Sequence, residues 1–173
     1  MPITGSKTKT NVCDIDLTGS TFNVSPFKSD SSEYIGYMAK SINVKDCKFI
    51  GSYDTIFDHI SCTISNLNTI NVSKVSSDSL CIFDNYSGPD IDMYSNSFYG
   101  FDGLTTNRLT ILKLESGATA TADISLDSYG TDTMTGIKCI DLTNCYRIMF
   151  GGKCHFNGSI FTYPDLVFTP TCA

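Results

Sequence analysis

Asp54, Asp58 and His59 bring two carboxylates and an imidazole into one short segment of this 173-residue chain. Those groups could act as general acid, general base and proton carrier. Glycoside hydrolysis needs two carboxylates held a set distance apart, and lyase chemistry needs a base, often beside a Ca²⁺ ion held by carboxylates. Asp14/Asp16 and Asp90/Asp92 are further pairs, spaced i, i+2 so that both members share one face of a strand. Against catalysis stands the composition. Sixteen of the eighteen acidic residues are Asp, a residue that favours turns and also protects sheet edges from aggregation. The only arginines, Arg108 and Arg147, make a cationic clamp for an acidic polysaccharide hard to assemble. Cys154 and His155 are strand neighbours and point to opposite faces, so they form no nucleophile–base pair. No catalytic residue is therefore expected; if the chain is an enzyme, Asp54, Asp58 and His59 are its first candidates.

Metal and cofactor chemistry have no foothold either. Eight cysteines are present but no Cys-x-x-Cys pair, and His59 and His155 are the only histidines. They complete no recurring zinc pattern, and no phosphate-binding loop or dinucleotide fingerprint occurs. No metal and no cofactor are expected. Reduced cysteine packs as a small hydrophobe, which is the use expected of it in a chain with no visible export signal. The net charge is -6, and the twelve basic residues are scattered. A nucleic-acid partner is not expected, because phosphate must be met by clustered Lys or Arg. Membrane insertion is not expected, because no apolar run is long enough to span a bilayer. The first residues are polar and lack the apolar core of a signal peptide.

The elements that must carry these residues are strands. Good helix formers are scarce, whereas Ser, Thr, Asn, Ile, Phe and Tyr abound, which is an all-β composition. A cassette of apolar–x–apolar followed by Phe appears at Ile15-Asp-Leu17…Phe22, Ile42-Asn-Val44…Phe49 and Ile91-Asp-Met93…Phe98, with a weaker copy at Ile140-Asp-Leu142. Weaker starts at Ile70 and Leu112 bring the intervals to between 21 and 28 residues. Near-constant coils of this size predict a parallel β-helix of about six short coils, with like residues stacked in ladders. A β-sandwich or jelly roll is the alternative. The chain divides into a flexible arm over 1–12, a β-helix over 13–160 and a cap or docking tail over 161–173. In the tail, Pro164 and Pro170 cannot donate to a ladder and argue for an edge.

Ile42-x-Val-x-x-Cys47-x-Phe-Ile-Gly51 and its echo Ile91-x-Met-x-x-Asn96-x-Phe-Tyr-Gly100 resemble the coil motif of pectin-lyase-like right-handed parallel β-helix proteins. The resemblance implies a single-stranded right-handed coil of the kind found in polysaccharide lyases, phage tailspikes and other virion proteins. The chain lacks the length and the long loops of the enzymes in that superfamily. The Trp-free, Asn/Ser/Lys/Ile-rich composition also looks like proteins of A+T-rich viral genomes.

These features lead to an expected non-enzymatic virion protein, either a minor capsid or decoration component or a segment of a tail fibre or spike. It would assemble in the host cytoplasm and act through contacts with itself and other virion proteins. Aromatic side chains dominate interface energetics, so Tyr34, Tyr37, Tyr94, Tyr99, Phe101, Tyr163 and Phe168 are the expected contact residues. The rivals are a carbohydrate-active β-helix enzyme and a glycan-binding module that stacks a host-surface glycan on Tyr94, Tyr99 and Phe101.

Overall fold

The computed structural model describes residues 5–27, 33–52, 54–73, 76–93, 105–126, 139–150, 160–162 and 167–170. In chain order the strands are β1 (Cys13–Asp16), β2 (Thr21–Phe22), β3 (Ala39–Asn43), β4 (Lys48–Ile50), β5 (Thr55–Asp58), β6 (Thr63–Ser65), β7 (Asn71–Ser73) and β8 (Ser76–Tyr86). They continue as β9 (Ile91–Met93), β10 (Thr105–Leu114), β11 (Ala122–Leu126), β12 (Cys139–Asp141), β13 (Cys145–Phe150), β14 (Ile160–Thr162) and β15 (Val167–Pro170). One short helix, α1 (Ile35–Met38), and a 3₁₀ turn over Leu67–Thr69 interrupt them. Every ladder between these strands is parallel, and sequential strands lie in different sheets. The molecule is a β-solenoid.

Among the described residues four sheets result, in the orders β1-β3-β6, β2-β4-β7, β5-β8-β10-β12-β14 and β9-β11-β13-β15. The first two close about three turns, in place of the six coils expected. The shortfall has a physical cause: the cassette marks a corner turn, and more than one corner of a coil uses it. In Ile15-Asp16-Leu17, the Asp16 carboxylate accepts the Thr18 N–H at 3.0 Å, and the Leu17 carbonyl accepts the Ser20 N–H at 3.0 Å. Asn43 and Val44 repeat this with the N–H groups of Lys45 and Cys47, and Asp141 and Leu142 with those of Thr143 and Cys145. The residue before the turn's end has positive φ each time: Gly19 (72°), Asp46 (56°) and Asn144 (67°). A side-chain-capped turn with a left-handed third position suits Gly, Asn or Asp there.

Because the cassette encodes a corner, its copies need not stack. Ile15 pairs with Ile42, as expected, but the next rung is Ile64, not Ile70. Ile70 instead leads into β7, whose Val72 lies on Phe49. Leu112 lies on Phe83 in the third sheet. Ile140 pairs with Leu109 and Phe161 there, whereas Ile91 pairs with Ala122 in the fourth sheet. The 49-residue interval from 91 to 140 therefore joins two different sides of the coil.

The core follows from which faces are covered. In β1 and β4 only the central residue is buried, Ile15 and Phe49, with polar or exposed neighbours on both sides. Phe22 stacks on Phe49 at 5.4 Å between ring centroids. The third sheet differs: Thr55, Ile56, Phe57 and Asp58 are all buried, as are Leu80, Ile82 and Phe83 in β8 and Leu109, Ile111 and Leu112 in β10. Strands covered on both faces read as continuous apolar runs and lose the alternation that marks a one-sided strand. An aromatic column runs through them, with Phe57 on Phe83 at 5.0 Å and Phe49 edge-on to Phe57 at 5.6 Å.

Candidate functional site

The described residues concentrate their polar chemistry where β5 and β8 turn their corners. Thr55-Ile-Phe-Asp58-His59 and Cys81-Ile-Phe-Asp84-Asn85 stack in register, Phe57 on Phe83 and Asp58 on Asp84. His59 (φ 54°) and Asn85 (φ 50°) are both left-handed; His59 follows the end of β5, whereas Asn85 lies inside β8 opposite a register shift of β10. The stacked corners are stitched by the His59 N–H to the Asp84 carbonyl at 3.0 Å and by the Asn85 amide to the Asp58 carboxylate at 3.1 Å. Lys113, one coil on, lies 3.9 Å from the other carboxylate, Asp84. Asn85 is not among the residues expected at the site, although the Ile-Phe-Asp-(His/Asn) segment repeated 26 residues apart points to it.

Asp58 and His59 do come together, with the His59 Nδ1 2.6 Å from the Asp58 carboxylate. Asp54 precedes β5 and Asp58 ends it, and four strand steps of ~3.3 Å set their backbones roughly 13 Å apart. Tyr34 lies flat on one face of the imidazole at 3.5 Å between centroids and Tyr37 meets it edge-on at 5.4 Å, and the His59 side chain keeps 17% of its surface exposed. Asp14 and Asp16 are likewise engaged by the chain itself, through the Ser41 hydroxyl at 2.7 Å and the Asn43 amide at 3.2 Å.

Tyr37 links this corner to the N-terminal segment. Its hydroxyl donates to the Glu115 carboxylate at 2.8 Å, and the other Glu115 oxygen receives the Lys9 ammonium at 2.5 Å. Lys9 also lies 5.7 Å from the centre of the Tyr37 ring, within cation–π range. The Lys9 hydrogen bond, above all, holds the Glu115 carboxyl down at about 2, and burial raises the Tyr37 hydroxyl to about 12. Residues 5–12 are tied down along this line. Ser6 and Tyr34 exchange both backbone hydrogen bonds, and the N–H groups of Thr10 and Val12 donate to the Tyr37 and Met38 carbonyls at 2.8 Å each. Beside Lys9 and Glu115 opens a cleft of about 580 Å³, which Ser87, Asp90 and Thr119 also line.

Of the expected contact residues, Tyr37 is buried and Tyr34 half-buried, both against the chain's own His59. Tyr94, Tyr99, Phe101 and Tyr163 lie outside the described residues, as does the side chain of Phe168. Among the described residues no three His, Cys, Asp or Glu side chains gather as a metal site. The thiols of Cys13, Cys47, Cys62, Cys81 and Cys145 are unpaired; that of Cys47 donates to the Leu17 carbonyl of the corner below at 2.9 Å. No helix among the described residues is long and apolar enough to cross a membrane. The chain matches no protein-family model, no curated protein and no solved structure.

Proposed function

We propose that this chain is a non-enzymatic structural or attachment protein, of the kind carried by virus particles, and that it works through assembly contacts made by a stiff coil. What supports the reading is how the Asp58–His59 pair is used. Its polar atoms hold neighbouring corners together and its ring face is covered by Tyr34. The residues best suited to acid–base work are thereby committed to architecture. Among the described residues, no strand pairs with the outer edge of β1. Asp14 and Asp16 flank the outer edge of β1, and Val12 and Val24 on that first turn are 70% and 67% exposed. Carboxylates on an edge strand discourage indiscriminate pairing while leaving room for a specific neighbour. The virion setting rests on the coil-motif resemblance and the composition.

Two measurements on the purified chain test the proposal. Incubation with a panel of polysaccharides is expected to release neither reducing ends nor unsaturated products. Light scattering is expected to give a mass above that of one chain as concentration rises. A stable monomer that cleaves a polysaccharide overturns the reading.

A further inference from the structure

We infer that the cleft beside Lys9 and Glu115 binds a neutral saccharide unit, so that the coil attaches to a glycan there. The inference rests on the attachment reading and names what is attached to. The cleft comes from a mismatch between two stacked corners. Tyr86 pairs with Leu114 and Ile91 with Ala122, so residues 87–90 of one coil and 115–121 of the next bridge the same interval. Seven residues against four leave three that the ladder does not need. They rise as an exposed turn, closed by the Ala118 N–H on the Glu115 carbonyl at 3.0 Å, with Gly117 at φ 83°. Both ends of this arch are fastened to the corner below. The Glu115 N–H donates to the Tyr86 carbonyl at 2.9 Å, and the Thr121 N–H to the Asp90 carboxylate at 2.9 Å. The lower lip is equally fixed. Gly88 packs so closely that a Cβ there would lie 2.8 Å from the Cys62 carbonyl oxygen, and the Tyr86 hydroxyl donates to the Pro89 carbonyl at 2.6 Å. The opening of about 580 Å³ is thus set by backbone, and its size falls within the ~300–1,000 Å³ of small-molecule sites.

The lining groups select the guest. The Lys9 ammonium is already paired with Glu115, which also accepts from the Tyr37 hydroxyl. Asp90 then leaves the cleft one formal negative charge, which repels sugar acids, sulfates and phosphates. A metal ion takes more carboxylate and carbonyl oxygens than one Asp supplies. An alcohol suits the mixture, because a hydroxyl both donates and accepts. It can give to Asp90 and take from Lys9 or the exposed Thr119. Ser87 lacks such a partner. Its Oγ is buried in the cleft wall and completes no hydrogen bond, although it lies close enough to Glu115 to help hold that carboxyl ionised. Buried hydroxyls are normally paired, and a change of rotamer turns this one to a guest. Pro89 is exposed and offers its ring face to the C–H side of a pyranose.

An amide-resolved NMR titration tests this on the whole chain. Nitrogen-labelled protein is titrated with glucose, galactose, mannose and N-acetylglucosamine, and with glucuronate as an acidic counterpart. At least one neutral sugar is expected to shift the Gly88, Asp90, Gly117 and Thr119 amides together and to saturate at millimolar concentration. Glucuronate is expected to bind about fivefold more weakly than that sugar. T119W fills the opening and should abolish the shifts. S87A should weaken the sugar about three- to tenfold while leaving the unfolding midpoint unchanged. No response at these amides to any of the four sugars overturns the inference, as does tighter binding of glucuronate. S87A binding as tightly as the parent also overturns it, which keeps the test decisive should T119W fail to fold. Light scattering on the same samples separates the two readings. A protein that assembles but moves none of these amides loses only the sugar site, and one that binds sugar as a stable monomer loses only the assembly contacts.

Discussion

A left-handed residue at a coil corner is a local cost that the side chain can lower or raise. Asp46 adopts φ 56° where the equivalent corner of the first turn has Gly19 at φ 72°. An L-residue pays about 1–2 kcal/mol there, less for Asp or Asn, and glycine pays nothing of that steric kind. Asp46→Gly is therefore expected to stabilise the fold by up to about 1 kcal/mol, reduced by the greater freedom of glycine in the unfolded chain. Gly19→Ala has open space for its methyl group but keeps the strained backbone, so a loss of about 1 kcal/mol is expected. Urea unfolding of the two variants reads both signs. The arm seat responds to pH through two residues. The Glu115 carboxyl is lowered from 4.5 to about 2 in the folded chain, mainly by the Lys9 hydrogen bond. Its contribution is thus complete above the unfolded value and fades as pH falls from about 4.5 toward 2. Tyr37 is raised from 10 to about 12 by burial and by donating to Glu115. The neutral phenol is the bound form, so this contribution is present below pH 10 and lost as pH rises toward 12. Protection of the Thr10 and Val12 amides, their exchange rate relative to the intrinsic rate at each pH, is expected to be greatest between those limits. A flat profile across the acid limb would mean that Glu115 does not hold the arm.

Elements were legible in the sequence where one face is wet and obscure where both are covered. The Ile15 and Ile42 cassettes alternate buried and exposed residues, and their pairing in the first sheet follows the expected ladder. The Phe expected to return to the interior does so at Phe49, with Phe22 stacked on it. Missed was the stronger repeat, Thr55-Ile-Phe-Asp58 over Cys81-Ile-Phe-Asp84, because four successive buried residues show no period of two. The corner recurrence is visible, but it counts corners and not coils: Asp or Asn in the middle of the cassette caps a turn, and a capped turn can sit at any corner. Of the candidate site, Asp58 beside His59 could be read directly, whereas Tyr34, Tyr37 and Glu115 reach it from other turns through contacts that no local spacing encodes. The double-faced strands should dominate stability. Phe57 is fully buried between the rings of Phe27, Phe49 and Phe83, so Phe57→Ala is expected to cost about 3–5 kcal/mol. A loss below about 1 kcal/mol in denaturant unfolding would show that this column is not the core.

At the scale of the molecule the solenoid is stitched unevenly. The first sheet stops at β6 and the second at β7, and the fourth begins at β9. Between β6 and β9 lies a cleft of about 80 Å³ lined by Thr63, Ile64, Ile91 and Asp92, and no ladder joins the two strands. Among the described residues, only the third sheet runs through both parts, with β5 paired to β8 and β8 to β10 in register as far as Leu112 and shifted at Leu114. Stability in a stack of coils is a sum of nearest-neighbour terms, so cooperativity passes through whatever interface is shared. The β8–β10 ladder is the main-chain part of that interface, beside the Tyr37 and Lys9 contacts on Glu115. Leu80 and Leu109 pair within it and both are fully buried. Leu80→Ala should then do two things that an end-coil truncation does not. It should cost about 2–5 kcal/mol, as deletions of this size in a packed core do. It should also split a single urea transition into two of lower slope, because the slope follows the surface exposed in each cooperative unit. Ile15→Ala, on the first strand of the stack, removes a similar side chain where only one neighbouring coil is at stake, and should leave the transition single. If Leu80→Ala unfolds in one step with an unchanged slope, the two parts are coupled by more than the third sheet.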